Sequence, residues 1–505
     1  MKVCLIRPSI VVPGSNQTTM MTPPLGLAYI AGSLRQAGHK VQFIDAVGED
    51  LECKHPYKDD CFIFGLTPEQ TVARISIDTD IIGIAFGFSF EWPYCRDLTK
   101  LIRKKFPDCL LVGGGEHATA EPEQTLQESA VDIVILGEGE ETVVELISSW
   151  STPEFKPRTV PGIAFLGENS SVEFTKPRGR IRDINKIPRP AWDLTPIENY
   201  LDRGLGFGVN RGRSMPVFGS RGCPFQCTFC SNPDMWTTRW VPRDPDDLLD
   251  ELEFYQREYG AENFDFYDLT AIVKKSWIIE FCSKIEERGM KFFWQLPSGT
   301  RSEAIDEEVA SWLYRTGCRN LSYSPESGSA TVLERIKKKI KTSSVVKSIN
   351  GAYKQGLNVK TNIIFGFPGE TLKEVLETYR FIGQMALAGA YDISIWAFSP
   401  YPGSELFRQI KEKEGIELDD AYYNSLRSYA DPANTVSYSE NFSNGKLKLL
   451  RYIGVIIFYL TSWSVRPYRP LLIIMNVLRN KQESRAEMGI LNILRRNRLK
   501  VTPVN

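Results

Sequence analysis

Residues 221–232, RGCPFQCTFCSN, place Cys223, Cys227 and Cys230 in a Cys-x3-Cys-x2-Cys array, with Phe229 directly before the last thiol. Three thiolates are one short of a closed site. A structural zinc takes four ligands and an electron-transfer cluster takes four cysteines, so a compact three-cysteine loop suggests a 4Fe–4S cluster with one iron left open to a non-protein group. The competing readings are a zinc knuckle lacking its last ligand and three unrelated buried thiols. The flanks favour the cluster. Gly222 and Pro224 suit a tight loop that wraps its backbone around a cofactor, and the apolar run ending at Val217 and Phe218 reads as a strand. The array therefore sits on a loop just after a strand.

The other seven cysteines (Cys4, Cys53, Cys61, Cys95, Cys109, Cys282 and Cys318) are scattered without disulfide-like or metal-like spacing. Reduced thiols in a cytosolic compartment are expected. A chain of 505 residues has room for about two to four domains with sizeable cores. Its net charge of −1 conceals an asymmetry: from Lys446 onward twelve Lys or Arg face two acids, Glu483 and Glu487, a balance of +10 that leaves −11 for the first 445 residues. The tail is a separate electrostatic object. The opening MKVCLIRPS has no basic region followed by a long apolar core, so no secretory signal is expected.

Residues 1–150 alternate short apolar runs (VCLI, VQFIDA, IIGIAF, CLLVGGG, VDIVILG) with amphipathic stretches. That alternation predicts a doubly wound, Rossmann-like parallel sheet with ligands at the carboxyl ends of its strands. Three tight or glycine-rich turns fall there: Pro23–Gly26, Gly113–Gly115 and Gly137–Gly139. The stretch 151–210 is rich in Pro and Gly, and Pro188, Pro190 and Pro196 predict an extended ordered linker. After Cys230 the pattern resumes. FDFYDLTAI, KFFWQLPSG, NLSYSPESGS, VKTNIIFGFPGE and DISIWAFSPYPGS read as strands separated by helices, which predicts a full or partial parallel barrel over about 211–420 with function at its carboxyl-terminal face.

The cysteine spacing resembles that of radical SAM enzymes, in which S-adenosylmethionine (SAM) chelates the open iron through its amino and carboxylate groups. The resemblance makes Cys223, Cys227 and Cys230 cluster ligands in a partial (β/α)6 barrel. NIIFGFPGE resembles the fifth-strand motif whose backbone, here around Ile364 and Gly366, meets the adenine. Glu326 and Ser327 in YSPESGS match the fourth-strand position at the ribose or methionyl part, and Arg301 resembles a third-strand arginine. Asp268 occupies the end of strand two, where the family usually shows two adjacent acidic or amide residues; here Leu269 follows.

PPLGLAYIAGSLRQAGHKVQFID, GGGEHAT and VDIVILGEGEETVVELI, ahead of such a core, resemble the cobalamin-binding domain of cobalamin-dependent radical SAM enzymes. The resemblance covers nearly all of residues 1–150 and implies cobalamin contacts at Pro24, Gly26, Gly113, Gly114, Gly115, His117, Gly137, Glu138 and Gly139. The signature Asp-x-His-x-x-Gly, which supplies an imidazole to cobalt, is absent, and the chain has three histidines. His39 and His55 read as solvated or loop residues. His117 is expected at the cofactor's periphery, with no histidine on cobalt.

The implied activity is reductive cleavage of SAM to a 5′-deoxyadenosyl radical, used for C-methylation of an unactivated carbon on a hydrophobic or lipid-like substrate. One alternative is radical chemistry without methyl transfer, as in the anaerobic magnesium-protoporphyrin ester cyclase, whose layout this chain also resembles. A redox-sensing or cobalamin-sensing module is the non-enzymatic alternative. A low-potential donor such as flavodoxin or ferredoxin is implied. Residues 421–505 are expected to be helical. The run Ile453–Leu460 is too short to span a bilayer, and its basic and aromatic neighbours read as an interfacial membrane anchor on the cytoplasmic side; a cap packed on the barrel is the alternative. The density of aliphatic residues argues against nucleic acid.

Overall fold

The computed structural model describes residues 1–13, 21–58, 61–152, 155–429 and 431–496. Its first sheet contains β1 (Lys2–Arg7), β2 (Lys40–Asp45), β3 (Ile81–Ala85), β4 (Leu110–Gly114), β5 (Ile133–Ile135), β6 (Ile163–Leu166) and β7 (Val172–Phe174). The spatial order is β7-β6-β5-β4-β3-β1-β2. β1 to β5 pair in parallel, while β6 and β7 extend the sheet antiparallel. Parallel strands covered on both faces read as continuous apolar runs. Helix α1 (Leu25–Gln36) and helix Glu140–Trp150 cover one face through Leu34, Leu146 and Ile147; Trp92, Leu98 and Ile102 from helix Trp92–Lys105 cover the other. The order reverses between β1 and β3, the place where doubly wound sheets bind ligands.

The segment expected as a linker does more than connect. It supplies β6 and β7 and then pins both units: the Tyr200 hydroxyl donates to Asp45 at 2.8 Å, and the Trp192 indole donates to the Tyr255 hydroxyl at 3.1 Å. His55 departs from expectation. It is buried on strand Lys54–Tyr57, because it lies in a small antiparallel sheet with Cys61–Phe64 and Ile10–Pro13.

The second sheet contains β8 (Ser214–Val217), β9 (Asn263–Phe266), β10 (Phe293–Thr300), β11 (Cys318–Glu326), β12 (Asn358–Phe365) and β13 (Asp392–Ala397). All pairs are parallel and follow chain order, which is the expected six-stranded partial barrel. Helix α2 (Pro245–Tyr259) starts on the Asp244 side chain and stops at Gly260 (φ 58°); α3 (Leu372–Ala388) starts on a Thr371–Glu374 capping box. The register slips between Leu296 and Thr300 and between Tyr323 and Glu326. Glu326 ends its strand at φ 66°, a conformation that costs a non-glycine residue energy and re-aims its side chain.

Three helices follow: α4 (Asn444–Val465), α5 (Tyr468–Leu478) and α6 (Arg485–Arg496). The expected apolar run lies inside α4, which packs against α3 and β13. Leu447, Leu450 and Phe458 belong to the barrel's core, so this inner face is a structural cap. Gly454 permits the approach, since a Cβ there would lie 2.4 Å from Ile395. No helix among the described residues is long and apolar enough to cross a membrane. Phe458→Ala should cost about 3–5 kcal/mol through the cavity it opens. Ile456→Ala, on the outer face at 55 % exposure, should cost about 0.5 kcal/mol or less. Anaerobic urea titration reads both.

Candidate active site between the two sheets

The cysteine loop leaves Ser220–Arg221 after β8. Gly222, at φ 83°, is forced: a Cβ would stand 2.1 Å from the Arg239 carbonyl oxygen. Thr228 fixes the loop's far side, its N–H donating to Ile336 and its carbonyl accepting from Leu406. All three thiols are free, and burial pushes each up, Cys230 to about 12. A half-buried trio of thiolates is stabilised by a bound cation. A structural zinc would need a fourth protein ligand, whereas a 4Fe–4S cluster with one iron open takes three cysteines. The donor set, three thiols on one loop, fits such a cluster. Nearby, the Arg301 guanidinium stacks 3.8 Å from the Phe225 ring, and Lys338 pairs with Glu326 at 3.0 Å, both nearly buried.

The other barrel residues divide by what they already touch. Glu326 and Arg301 stand beside the cysteine loop, and Ile364 lines the adjoining cavity. Asp268 accepts from the Gly219 N–H at 3.0 Å and from the Ser220 hydroxyl, so it braces the turn that launches the loop. Burial pushes its carboxyl up to about 6. Ser327 is fully buried and shares its hydroxyl with Thr378 at 3.1 Å on α3, behind the strand. Gly366 (φ 86°) donates its N–H to Glu370 at 2.6 Å and is covered by Leu447 of α4. Glu370 escaped sequence reasoning. Its signal was an acid four residues beyond Gly366, hidden among ordinary turn residues.

On the first sheet two of the three expected turns, Gly113–Gly115 and Gly137–Gly139, lie at the carboxyl ends of β4 and β5, and the third, Pro23–Gly26, opens α1. A Cβ on Gly113 would lie 2.4 Å from the Phe86 ring, and one on Gly115 (φ 121°) 2.5 Å from the Phe86 carbonyl oxygen. These two glycines seat one turn against its neighbour. Gly114 accepts the Phe86 N–H at 2.7 Å, Gly137 donates to Thr119 at 3.1 Å, Gly139 lies against Ile30, and Pro24 caps α1. Gly26 and Gly87 have no atom within 4 Å of where a Cβ would stand, and Gly87 lines the cavity, which is the open space a flat cofactor requires. His117 is packed between Trp92 (4.7 Å) and Tyr423 (5.5 Å), with Nδ1 3.1 Å from the Ser89 hydroxyl. Burial pushes it down to about 3, so the ring is neutral and reaches the cavity only through Ser89. No histidine is among the residues that line the cavity.

Glu138 is engaged by protein. It accepts from Arg180 at 2.7 Å and from the Ile181 N–H at 2.8 Å, and lies 3.4 Å from Arg221; Glu140 takes Arg221 at 2.6 Å. Beyond the cysteines, Ser231 donates to Glu116. Both ends of the cysteine loop are thus gripped by the first sheet's turns. Between them lies a cavity of about 350 Å³ walled by Phe88, Ser89 and Glu116 on one side and by Cys230, Ile364, Trp396, Tyr401 and Tyr429 on the other.

Glu370 also makes stability depend on pH. Burial pushes its carboxyl up to about 7, above the unfolded value of about 4.5, so the native state holds a proton that the unfolded chain has released. The contribution is complete below pH ~4.5 and is lost as pH rises toward 7. In anaerobic urea unfolding at pH 5.5 and pH 8, Glu370→Gln, which keeps an acceptor for Gly366, should lower the stability at pH 5.5 relative to that at pH 8 by about 1–2 kcal/mol compared with the wild type.

Comparison with known proteins agrees with this geometry. Residues 217–382 match the Radical SAM superfamily and residues 17–147 the B12 binding domain. An uncharacterized methyltransferase of Pyrococcus horikoshii is 32% identical over 415 residues, covering 81% of this chain and 82% of the relative. The anaerobic magnesium-protoporphyrin IX monomethyl ester cyclase of Cereibacter sphaeroides is 27% identical, covering 86% and 67%. Among solved structures, the cobalamin-dependent SAM radical enzyme OxsB, with aqua-cobalamin and SAM bound, superposes with a TM-score of 0.68 at 16% identity, covering 99% of this chain and 79% of that one. The chain belongs to the radical SAM enzymes that carry an amino-terminal B12-binding domain, and its cofactors are a 4Fe–4S cluster, SAM and cobalamin.

Proposed function

We propose that the protein transfers a methyl group to an unactivated carbon of a hydrophobic substrate, lipid-like in character. The observation that carries this reading is the wall of the interdomain cavity, where Phe88, Trp396, Phe398, Tyr401 and Tyr429 present mostly carbon to a space of about 350 Å³. Methyl transfer is favoured over cyclisation because the relative with the higher identity, 32% against 27%, is named a methyltransferase.

In this reading Cys223, Cys227 and Cys230 hold the cluster within residues 211–420, and residues 1–150 hold cobalamin, with 151–210 joining them and 421–505 bracing the barrel. When bound, cluster and SAM supply one-electron cleavage of a carbon–sulfur bond, and cobalamin supplies a transferable methyl group. The chain's own residues position and shield. Glu326, oriented by Lys338, offers a carboxylate for the ammonium of SAM, and Arg301 a cation for its carboxylate. The backbone at Ile364 and Gly366 receives the adenine, with Glu370 fixing the turn. The aromatic walls exclude water. A low-potential donor such as flavodoxin or ferredoxin supplies the electron.

Replacing Cys227 with Ala should remove nearly all iron and the brown absorbance after anaerobic reconstitution; stoichiometric zinc in the wild type would sink the assignment. With a lipid extract as substrate, an anaerobic assay should yield 5′-deoxyadenosine and S-adenosylhomocysteine together. Deoxyadenosine alone would establish the radical reaction without methyl transfer.

A further inference from the structure

The outer faces of α4, α5 and α6 are built against the usual logic of a surface helix. On α4 the exposed positions are Leu449, Tyr452, Ile456, Leu460 and Trp463, spaced three or four apart and so on one face. The opposite face, with Leu447, Leu450 and Phe458, is already in the core. α5 adds Leu471, Ile474, Met475 and Leu478, and α6 adds Ile490, Ile493 and Leu494, again at i, i+3 and i+4 spacing. Leu478 is 80% exposed. The helices touch in sequence, α4 to α5 and α5 to α6, so their outer residues form one neighbourhood. Twelve large apolar side chains exposed on three neighbouring helices are what an interaction surface shows, since scattered single apolar residues are ordinary and clusters are not.

Charge distinguishes among occupants. Within residues 444–494 the exposed charged residues are Lys446, Arg479 and Lys481, all basic, with Lys481 paired to Glu483. The two acids are withdrawn: Glu487 is buried, binding Asn476 and the Ser484 N–H, and Glu483 pairs with Arg211 and Lys481. A second copy of the chain would bring like charges together across a symmetric contact. An anionic bilayer instead accepts aliphatic side chains, takes Trp463, Tyr452 and Tyr468 at its interface, and attracts the flanking cations. The three helices are not spanning elements. Arg498 and Lys500, counted in the tail's charge, lie outside the described residues.

We infer that α4, α5 and α6 form a peripheral docking face for an anionic lipid surface. It lies on the back of the β13 and α3 wall of the barrel, so the face carries load without entering the cavity. This inference does not rest on the substrate reading above: a membrane-seated enzyme need not methylate a lipid.

Vesicle flotation of the full-length, cluster-reconstituted protein tests it. The wild type should float with vesicles of mixed phosphatidylcholine and phosphatidylglycerol, less so in high salt, and bind phosphatidylcholine alone at least about tenfold more weakly. The combined substitutions Ile456→Glu, Leu460→Glu and Leu478→Glu, and separately Lys446→Glu with Arg479→Glu, should each reduce binding about tenfold. Iron content and far-ultraviolet circular dichroism must stay at wild-type values, and the charge-reversal pair, placed on exposed positions, keeps the test open if the apolar variant fails to fold. Three results would overturn the inference: wild type that stays at the bottom of the gradient, variants that float equally, or a dimer in light scattering that the apolar substitutions dissociate, which would make the face a contact between copies.

Discussion

Everything in this molecule depends on holding a cysteine loop and a glycine cradle in fixed relation, and the grip is electrostatic. Arg221, the residue before Gly222, lies between Glu138 and Glu140 of the first sheet's last turn. Its guanidinium also lies 5.2 Å from the Tyr29 ring of α1, while Ser231 on the far side of the loop is tied to Glu116. Buried ion pairs contribute little net stability, because desolvation offsets their attraction. Their value here is directional. A planar guanidinium between two carboxylates allows one orientation of the loop, where a greasy contact of equal size would tolerate sliding.

The same economy governs the far wall. Arg451 of α4 is almost fully buried; it donates to the carbonyls of Ile395 and Tyr429 and to the Thr435 hydroxyl, and among the described residues no carboxylate lies within ion-pair distance of it. Desolvation pushes its guanidinium down to about 10. It is retained because it gathers three backbone segments, one carrying the cavity residue Tyr429. Leu447, one turn earlier, covers Gly366. A single helix from the tail thus sets the shape of both the Gly366 turn and the cavity wall at Tyr429.

The sequence made the two sheets and the cluster loop legible for different reasons. Apolar runs alternating with amphipathic helices carry a strong periodic signal, and Cys223, Cys227 and Cys230 carry a rare spacing. The single acids and glycines carried less. Gly113 and Gly115 lay at the expected turn, yet they serve close packing against Phe86; Gly87, which faces the cavity, gave no local signal. Ser327 and Asp268 lie just past the carboxyl ends of β11 and β9, but their partners, Thr378, Gly219 and Ser220, are distant in the chain or hidden in turn chemistry. The tail was legible as apolar and basic. That its helix has two apolar faces, one spent on the core, required the packing of α4 on β13.

The barrel has six strands in an open row, and β8 and β13 do not pair. A closed eight-stranded barrel fills its lumen with its own side chains, whereas here Tyr401, Tyr429 and the β3 turn at Phe88 finish the wall. The chamber's outline is therefore written in loops rather than in the sheet. Changes confined to residues 86–89 and 398–429 can therefore alter the chamber while the six strands stay in place.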